Sequence, residues 1–161
     1  MAENSTATQL QNRAQHEVQI RVADMNDCEA LASLAGQLGY ESSAQEIARR
    51  FEGVVQSPEN AVFVAQKISG RVVGWISAYV FRPLTSDARV EISGLVVDEA
   101  HRSRKIGAIL LKRAEEWAVA QGCRSIGVHT NTTRQRAHAF YEQNGYQLAK
   151  TQRFYRKSLT D

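Results

Sequence analysis

The sequence predicts an α+β protein with a mixed, mostly antiparallel central sheet of about six or seven strands, flanked by four helices. Three observations point there. Val18–Val22 alternates apolar and polar residues, the period-2 signature of a half-buried strand, and three further segments read as strands follow one another between Ala61 and Val97. Longer segments carry apolar residues three and four apart, the signature of amphipathic helices. One such helix separates Arg89–Val97 from Ser125–Thr130, and a single helical crossover makes its two strands parallel neighbours with a right-handed connection.

The elements follow in order. Met1 to about Glu17 is rich in Asn, Gln, Ser and Thr and buries too little to order itself. Residues 1–16 are therefore expected to be a flexible tail, and residues 17–161 a single domain. Val18–Val22 alternates and is the first strand. Asp24 caps a helix reaching about Leu38, with Leu31, Leu34, Ala35 and Leu38 on one face. Ser43 and Glu46 fit a capping box that opens a second helix carrying Ile47, Phe51 and Val54. Beyond the Ser57–Asn60 turn, strands Ala61–Lys67 and Arg71–Phe81 join through a Ser69-Gly70 hairpin turn. Arg82–Ala88 is a loop, and Arg89–Val97 is the next strand.

The third helix runs from Ile106 to about Gln121 and ends at Gly122. Ile106, Ile109, Leu110, Ala114, Trp117 and Ala118 share its buried face. Ser125–Thr130 is a short strand. Thr132 and Gln135 fit another capping box, opening a helix with Ala137, Phe140 and Tyr141 inward. Gly145 suits the left-handed position after it, and Tyr146 is placed to fold back onto Phe140. Two last strands, about Gln147–Arg153 and Phe154–Ser158, are expected to complete the sheet.

Composition narrows the function. An apolar share of 43% in 161 residues supports a real core. A net charge of +3 is too small and too scattered for a typical nucleic-acid binder. Cys28 and Cys123 stand far apart with no ligand-spaced partners, so no metal site is read, and both are expected to be free thiols in a reducing cytoplasm. No apolar run approaches the roughly 18 residues that cross a bilayer, and the N-terminus has no secretory apolar core. A cytoplasmic protein without a membrane partner is expected.

The segment richest in chemistry is Val96 to Ala108. An apolar strand runs into a turn holding Arg102, Arg104 and Lys105, and then into the start of a helix. The first amides of a helix lack intrahelical acceptors, and its dipole places partial positive charge there. Cations at that end are unfavourable unless an anion joins them, and the small Gly107 and Ala108 let one approach the backbone. The turn is thus read as a site for phosphate, and a pyrophosphate would fit it.

These residues resemble the cofactor signature of the GNAT family of N-acetyltransferases: an arginine or glutamine, two arbitrary residues, a glycine, any residue, then glycine or alanine. Arg102 matches the first position and Gly107 the last, while Lys105 stands where the first glycine belongs. The element order from Val18 to Ser158 also resembles this family. The resemblance implies acetyl-CoA as cosubstrate, bound in a splay between the parallel strands Arg89–Val97 and Ser125–Thr130. It implies pantetheine pairing with the backbone of Leu95, Val96 and Val97. The pyrophosphate would then be held by Arg102, Ser103, Arg104, Lys105, Ile106, Gly107 and Ala108.

A second cofactor segment is implied at Asn131 and Tyr141, with Tyr141 as general acid toward the departing thiolate. A phenol is protonated at neutral pH and can serve so. Without the resemblance, Tyr141 reads as a core residue packed with Phe140. Glu91 lies in an otherwise apolar strand, and on the residues alone two readings stay open: an ion-paired or solvent-facing glutamate, or a base. In several relatives a glutamate on this strand serves as base, often through water. Such help matters because freeing an alkylamine of its proton at pH 7 costs about 4 to 5 kcal/mol. His101, His129 and His138 are read as structural or surface residues, and Arg134 and Arg136 as a solvated helix face.

The implied activity is acetyl transfer to the primary amine of a small molecule. The stretch from Glu91 through Asn131 to Tyr146 also resembles aminoalkylphosphonate N-acetyltransferases and, more loosely, aminoglycoside-modifying enzymes. A protein lysine or N-terminal acetyltransferase and a non-catalytic CoA-binding sensor are the competing readings. Leu38–Ser43 and Arg82–Ala88 would build the acceptor site, with Tyr40, Glu41, Asp87 and Glu91 available to a cationic amine. An exposed last strand would permit a homodimer.

Overall fold

The computed structural model describes residues 18–102 and 105–160. The expected tail, and Ser103 and Arg104 of the basic turn, lie outside the described residues. The chain forms two compact units, one ending at His129 and the other beginning at Thr130.

The first unit is built on a five-stranded sheet of β1 (Val18–Val22), β2 (Asn60–Lys67), β3 (Val72–Phe81), β4 (Arg89–Val97) and β5 (Ile126–Val128), in that spatial order. The first four strands are antiparallel and β5 is parallel to β4. Three helices accompany them: α1 (Cys28–Gln37), α2 (Ala44–Val55) and α3 (Ile106–Ala120). Alternation along the strands supplies two apolar faces. Val62, Val64 and Trp75 pack with Leu31 of α1 and Phe51 of α2. On the opposite face, Ala78, Val80 and Val90 pack with Ala118 of α3 and with Cys123. Both cysteines are free and buried.

Local chemistry fixes the helix starts. Ser43 Oγ accepts from the Glu46 amide at 3.2 Å while Glu46 accepts from the Ser43 amide at 2.9 Å, the expected capping box. Asp24 does cap, but it opens a 3₁₀ turn over Met25–Asp27 that leads into α1. Buried Asp27 closes that turn's own capping box and receives both guanidinium nitrogens of Arg21, at 2.7 and 2.8 Å. Gly70 at φ 88° makes the hairpin turn, and Gly122 at φ 74° ends α3.

Two features of β4 place the site. Ser77 pairs with Gly94 and Ala78 with Ile92, so Ser93 is an extra residue, a bulge. The bulge reverses which side chains face α3. Before it, Val90 lies in the cluster with Ala118. After it, a side chain on Gly94 would strike the Trp75 ring on the other face, at 2.7 Å. Second, β5 pairs with β4 only from Val90 to Ile92. Among the described residues, no strand lies along that edge from Ser93 to Val97.

The second unit contains α4 (Gln135–Gln143), followed by Gly145 at φ 87° as expected. Several expectations need correction here. The sheet has five strands, because residues 147–158 form none. A strand needs a ladder partner and a face to bury, and Leu148, Phe154 and Tyr155 are instead exposed. The edge proposed for a homodimer is therefore not a strand. The Thr132–Gln135 box does not form, since Arg134 is the N-cap residue and no side chain caps the helix. Asn131 Oδ1 instead accepts from the amide and hydroxyl of Thr133, at 3.0 and 2.9 Å. Tyr146 packs its ring against Tyr141, with centroids 5.5 Å apart.

Candidate active site

Glu91 faces away from α3, because its neighbours Val90 and Ile92 face toward it. It is buried, at 6% exposure, and does not stand alone. Its Oε1 accepts from Arg89 Nε at 3.0 Å and Nη2 at 2.7 Å. Its Oε2 accepts from the Tyr79 hydroxyl at 2.7 Å, and His129 Nε2 lies 3.6 Å from the same oxygen. Burial alone would raise the pKa of this carboxyl. The hydrogen bonds from Tyr79 and Arg89, with the charges of Arg89 and His129, outweigh burial and hold it below the usual carboxylate range. Glu91 in turn raises the Tyr79 phenol, chiefly by accepting its proton in a hydrogen bond. Arg89 is itself braced, its guanidinium standing 4.6 Å from the centre of the Phe81 ring.

Sequence reasoning anticipated Glu91 and the ion pair as one reading of it, but not Tyr79 or His129. Tyr79 is visible only once the β3–β4 register pairs it with Glu91. His129 becomes visible only once the β4–β5 register sets Gly127 opposite Glu91.

At the other end of β4, Leu95, Val96 and Val97 lead to Asp98 and a 3₁₀ turn over Glu99–His101. Arg102 folds back to donate from Nε to the Val97 carbonyl at 3.1 Å. Arg71 anchors buried Asp98 at 2.7 Å, which fixes the approach to the turn. Lys105 is the N-cap residue of α3, with φ 59° and ψ 10°. It is the only described non-glycine residue in the left-handed region. That conformation is the one glycine adopts without cost, so the lysine keeps the backbone form its motif position calls for. The Lys105 side chain does not cap α3, and no acidic residue lies in the helix's first turn, Ile106, Gly107 and Ala108.

In the second unit, Asn131 and Tyr141 are both present as expected. His138 Nε2 lies 2.9 Å from the Asn131 carbonyl, which ties the segment before α4 to the helix. Tyr141 is half-buried between Phe140 and Tyr146, and burial pushes its phenol up to about 12.

Of the residues expected to meet an acceptor, Tyr40, Glu41 and Asp87 are exposed. A cavity of about 120 Å³ opens between the first two helices and the sheet, lined by Leu31, Ile47, Phe51, Val54, Trp75 and Ser77 among others. Ser77 also accepts a hydrogen bond from Ser93 at the β4 bulge, at 3.0 Å. The cavity therefore abuts the strand that carries Glu91.

Comparison with known proteins places the fold in a class of acetyl-transfer enzymes. The profile of the Acetyltransferase (GNAT) family matches residues 26–146, and the chain belongs to that family of N-acetyltransferases. It is 26% identical over 133 residues to an uncharacterised N-acetyltransferase of Bacillus subtilis, covering 80% of this chain and 89% of that one. It is 40% identical over 79 residues to the aminoalkylphosphonate N-acetyltransferase of Salmonella typhimurium, covering 48% of this chain and 51% of that one. The fold also matches a structure of AAC(6')-Iy in complex with the bisubstrate analogue CoA-S-monomethyl-acetylneamine. The TM-score is 0.77 at 21% identity, over 88% of this chain and 99% of the other. Among the described residues, no helix is long and apolar enough to cross a membrane.

Proposed function

We propose that the protein transfers the acetyl group of acetyl-CoA to the primary amine of a small molecule by direct attack. One observation carries this reading. β4 joins a buried Glu91, held below the usual carboxylate range, at one end to the start of α3 beside Arg102 and Lys105 at the other, and among the described residues no strand pairs with its edge from Ser93 to Val97. The residues suit the cosubstrate: Leu95–Val97 offer backbone to a pantetheine amide, and Arg102 and Lys105 through Ala108 offer amides and cations to a pyrophosphate. A backbone N–H near Leu95 is suited to polarise the thioester carbonyl. Glu91 draws the amine proton, directly or through an intervening group, and Tyr141 returns a proton to the leaving thiolate. Positioning supplies much of the rate, since a thioester is already activated.

The small-molecule acceptor is favoured by the relative named for aminoalkylphosphonates. Release of free CoA is measured with acetyl-CoA and 2-aminoethylphosphonate, glucosamine 6-phosphate, kanamycin and a lysine peptide. Turnover with one of the small amines is expected. Turnover with the peptide alone would make the protein a protein acetyltransferase. CoA binding without release from any acceptor would make it a sensor.

The lysine at the glycine position gives a separate test. Lys105→Gly should raise thermal stability, by at most about 1 kcal/mol from relief of the left-handed residue. It should also weaken acetyl-CoA binding several-fold. Unchanged binding would remove Lys105 from the cofactor contacts.

A further inference from the structure

Glu91 is the ionised carboxylate of the site, yet its side chain is only 8% exposed and both oxygens already accept hydrogen bonds. An amine could reach it only by displacing Arg89 or Tyr79. His129 stands beside it with 70% of its side chain exposed and Nε2 3.6 Å from Glu91 Oε2. The register explains the pair. Gly127 lies opposite Glu91 on β5, and His129 follows two residues later on the same face. Gly127 has no side chain to separate them, and even a Cβ there would meet nothing within 4 Å.

We propose that His129 is the catalytic base that takes the proton from the acceptor amine, and that Glu91 is the positioning residue that orients its ring. The inference rests on the acetyl-transfer reading and deepens it, since the intervening group between amine and carboxylate becomes the imidazole. The tautomer with its proton on Nε2, the nitrogen 3.6 Å from Glu91 Oε2, leaves the Nδ1 lone pair free to accept. Nδ1 takes one proton from the ammonium and passes it to water. The freed nitrogen pair forms a bond to the thioester carbon, and the carbonyl pair moves to oxygen. The new N–C group loses its second proton by the same route. The oxygen pair then reforms the carbonyl, the C–S bond breaks, and the thiolate takes the Tyr141 proton. No oxidant or further reactant is needed.

A base works best when its own pKa lies near the operating pH, and a carboxylate held below the usual range by Tyr79 and Arg89 is a weak acceptor for an ammonium proton. Within the first unit, the charged and titratable groups facing the ring are Glu91 and, behind it, Arg89 on β4 and Tyr79 on β3.

The test uses the full chain, acetyl-CoA and whichever amine of the panel turns over fastest, with kcat followed against pH. The wild type should gain rate as pH rises through the range in which an imidazole loses its proton. His129→Gln should lower kcat about 100-fold and abolish that limb, with little change in the KM for acetyl-CoA. His129→Ala should regain rate when free imidazole is added, which a merely structural role would not allow. Glu91→Gln should lower kcat but keep the limb. Retention of limb and rate in His129→Gln would overturn the assignment while leaving acetyl transfer intact, and so would loss of the limb in Glu91→Gln alone. Absence of wild-type turnover with every amine and peptide would instead overturn the transfer reading, and the inference with it.

Discussion

Replacing Tyr141 with phenylalanine should lower kcat by about 10²- to 10⁴-fold, the usual range for loss of a positioned acid, with acetyl-CoA affinity nearly unchanged. The substitution removes one oxygen from a ring held by Phe140 and Tyr146, so packing should survive. The pH dependence gives a second handle. Burial raises the phenol from 10.0 to about 12, so the acid form persists until pH rises through that higher value. The wild type should therefore show no loss of acid catalysis between pH 8 and 10, where an ordinary phenol would begin to fail. The linkage has the same sign. The folded state favours the neutral phenol, so its contribution to stability is full below 10 and fades only as pH climbs toward 12. Full turnover in Tyr141→Phe would remove Tyr141 as the acid. An alkaline limb that persists unchanged in the variant would assign that limb elsewhere.

The largest effect on stability is expected from Leu110→Ala. Leu110 is fully buried in the middle of α3, and its Cδ1 would lie 3.2 Å from a Cβ placed on Gly74. Gly74 is bare because that Cβ would also stand 2.9 Å from the Val96 carbonyl oxygen. The helix therefore seats directly on the backbone of the sheet, and truncating Leu110 leaves a void that a flat strand cannot fill. Loss of about 2–5 kcal/mol is expected, a fall in Tm of roughly 5–15 °C for a chain of this size. A Tm within a degree or two of the wild type would mean that the site collapses. Because α3 also presents Ile106–Ala108, acetyl-CoA binding should weaken on warming before the sheet melts.

The first four strands and α1 to α3 were legible because each is specified locally. Alternation marks the strands, and Ser43, Glu46, Gly70 and Gly122 mark starts and stops through capping and left-handed backbone. The start of α3 at Ile106 was legible too, since the strand, the turn and the helix adjoin in sequence. The C-terminal strands were misread because alternation in residues 147–158 specifies a strand only where a partner edge exists. Asn131 drew its partner from Thr133 rather than leaving the cap to Thr132, a choice between two nearby oxygens that composition does not decide. The cluster around Glu91 was only half legible. Its members come from β3, β4 and β5, and only register brings Tyr79, Arg89 and His129 to one carboxylate.

The unpaired Ser93 has a consequence for how such a strand can vary. It divides β4 into two half-strands of opposite phase. The half that ends at Ile92 packs on α3 through Val90 and carries Glu91 on its far side. The half that begins at Gly94 exchanges those faces. An odd number of residues inserted or deleted there would turn one half over without disturbing the other. The two ends of β4 are thus mechanically uncoupled within a single strand, and one can drift while the other is held fixed.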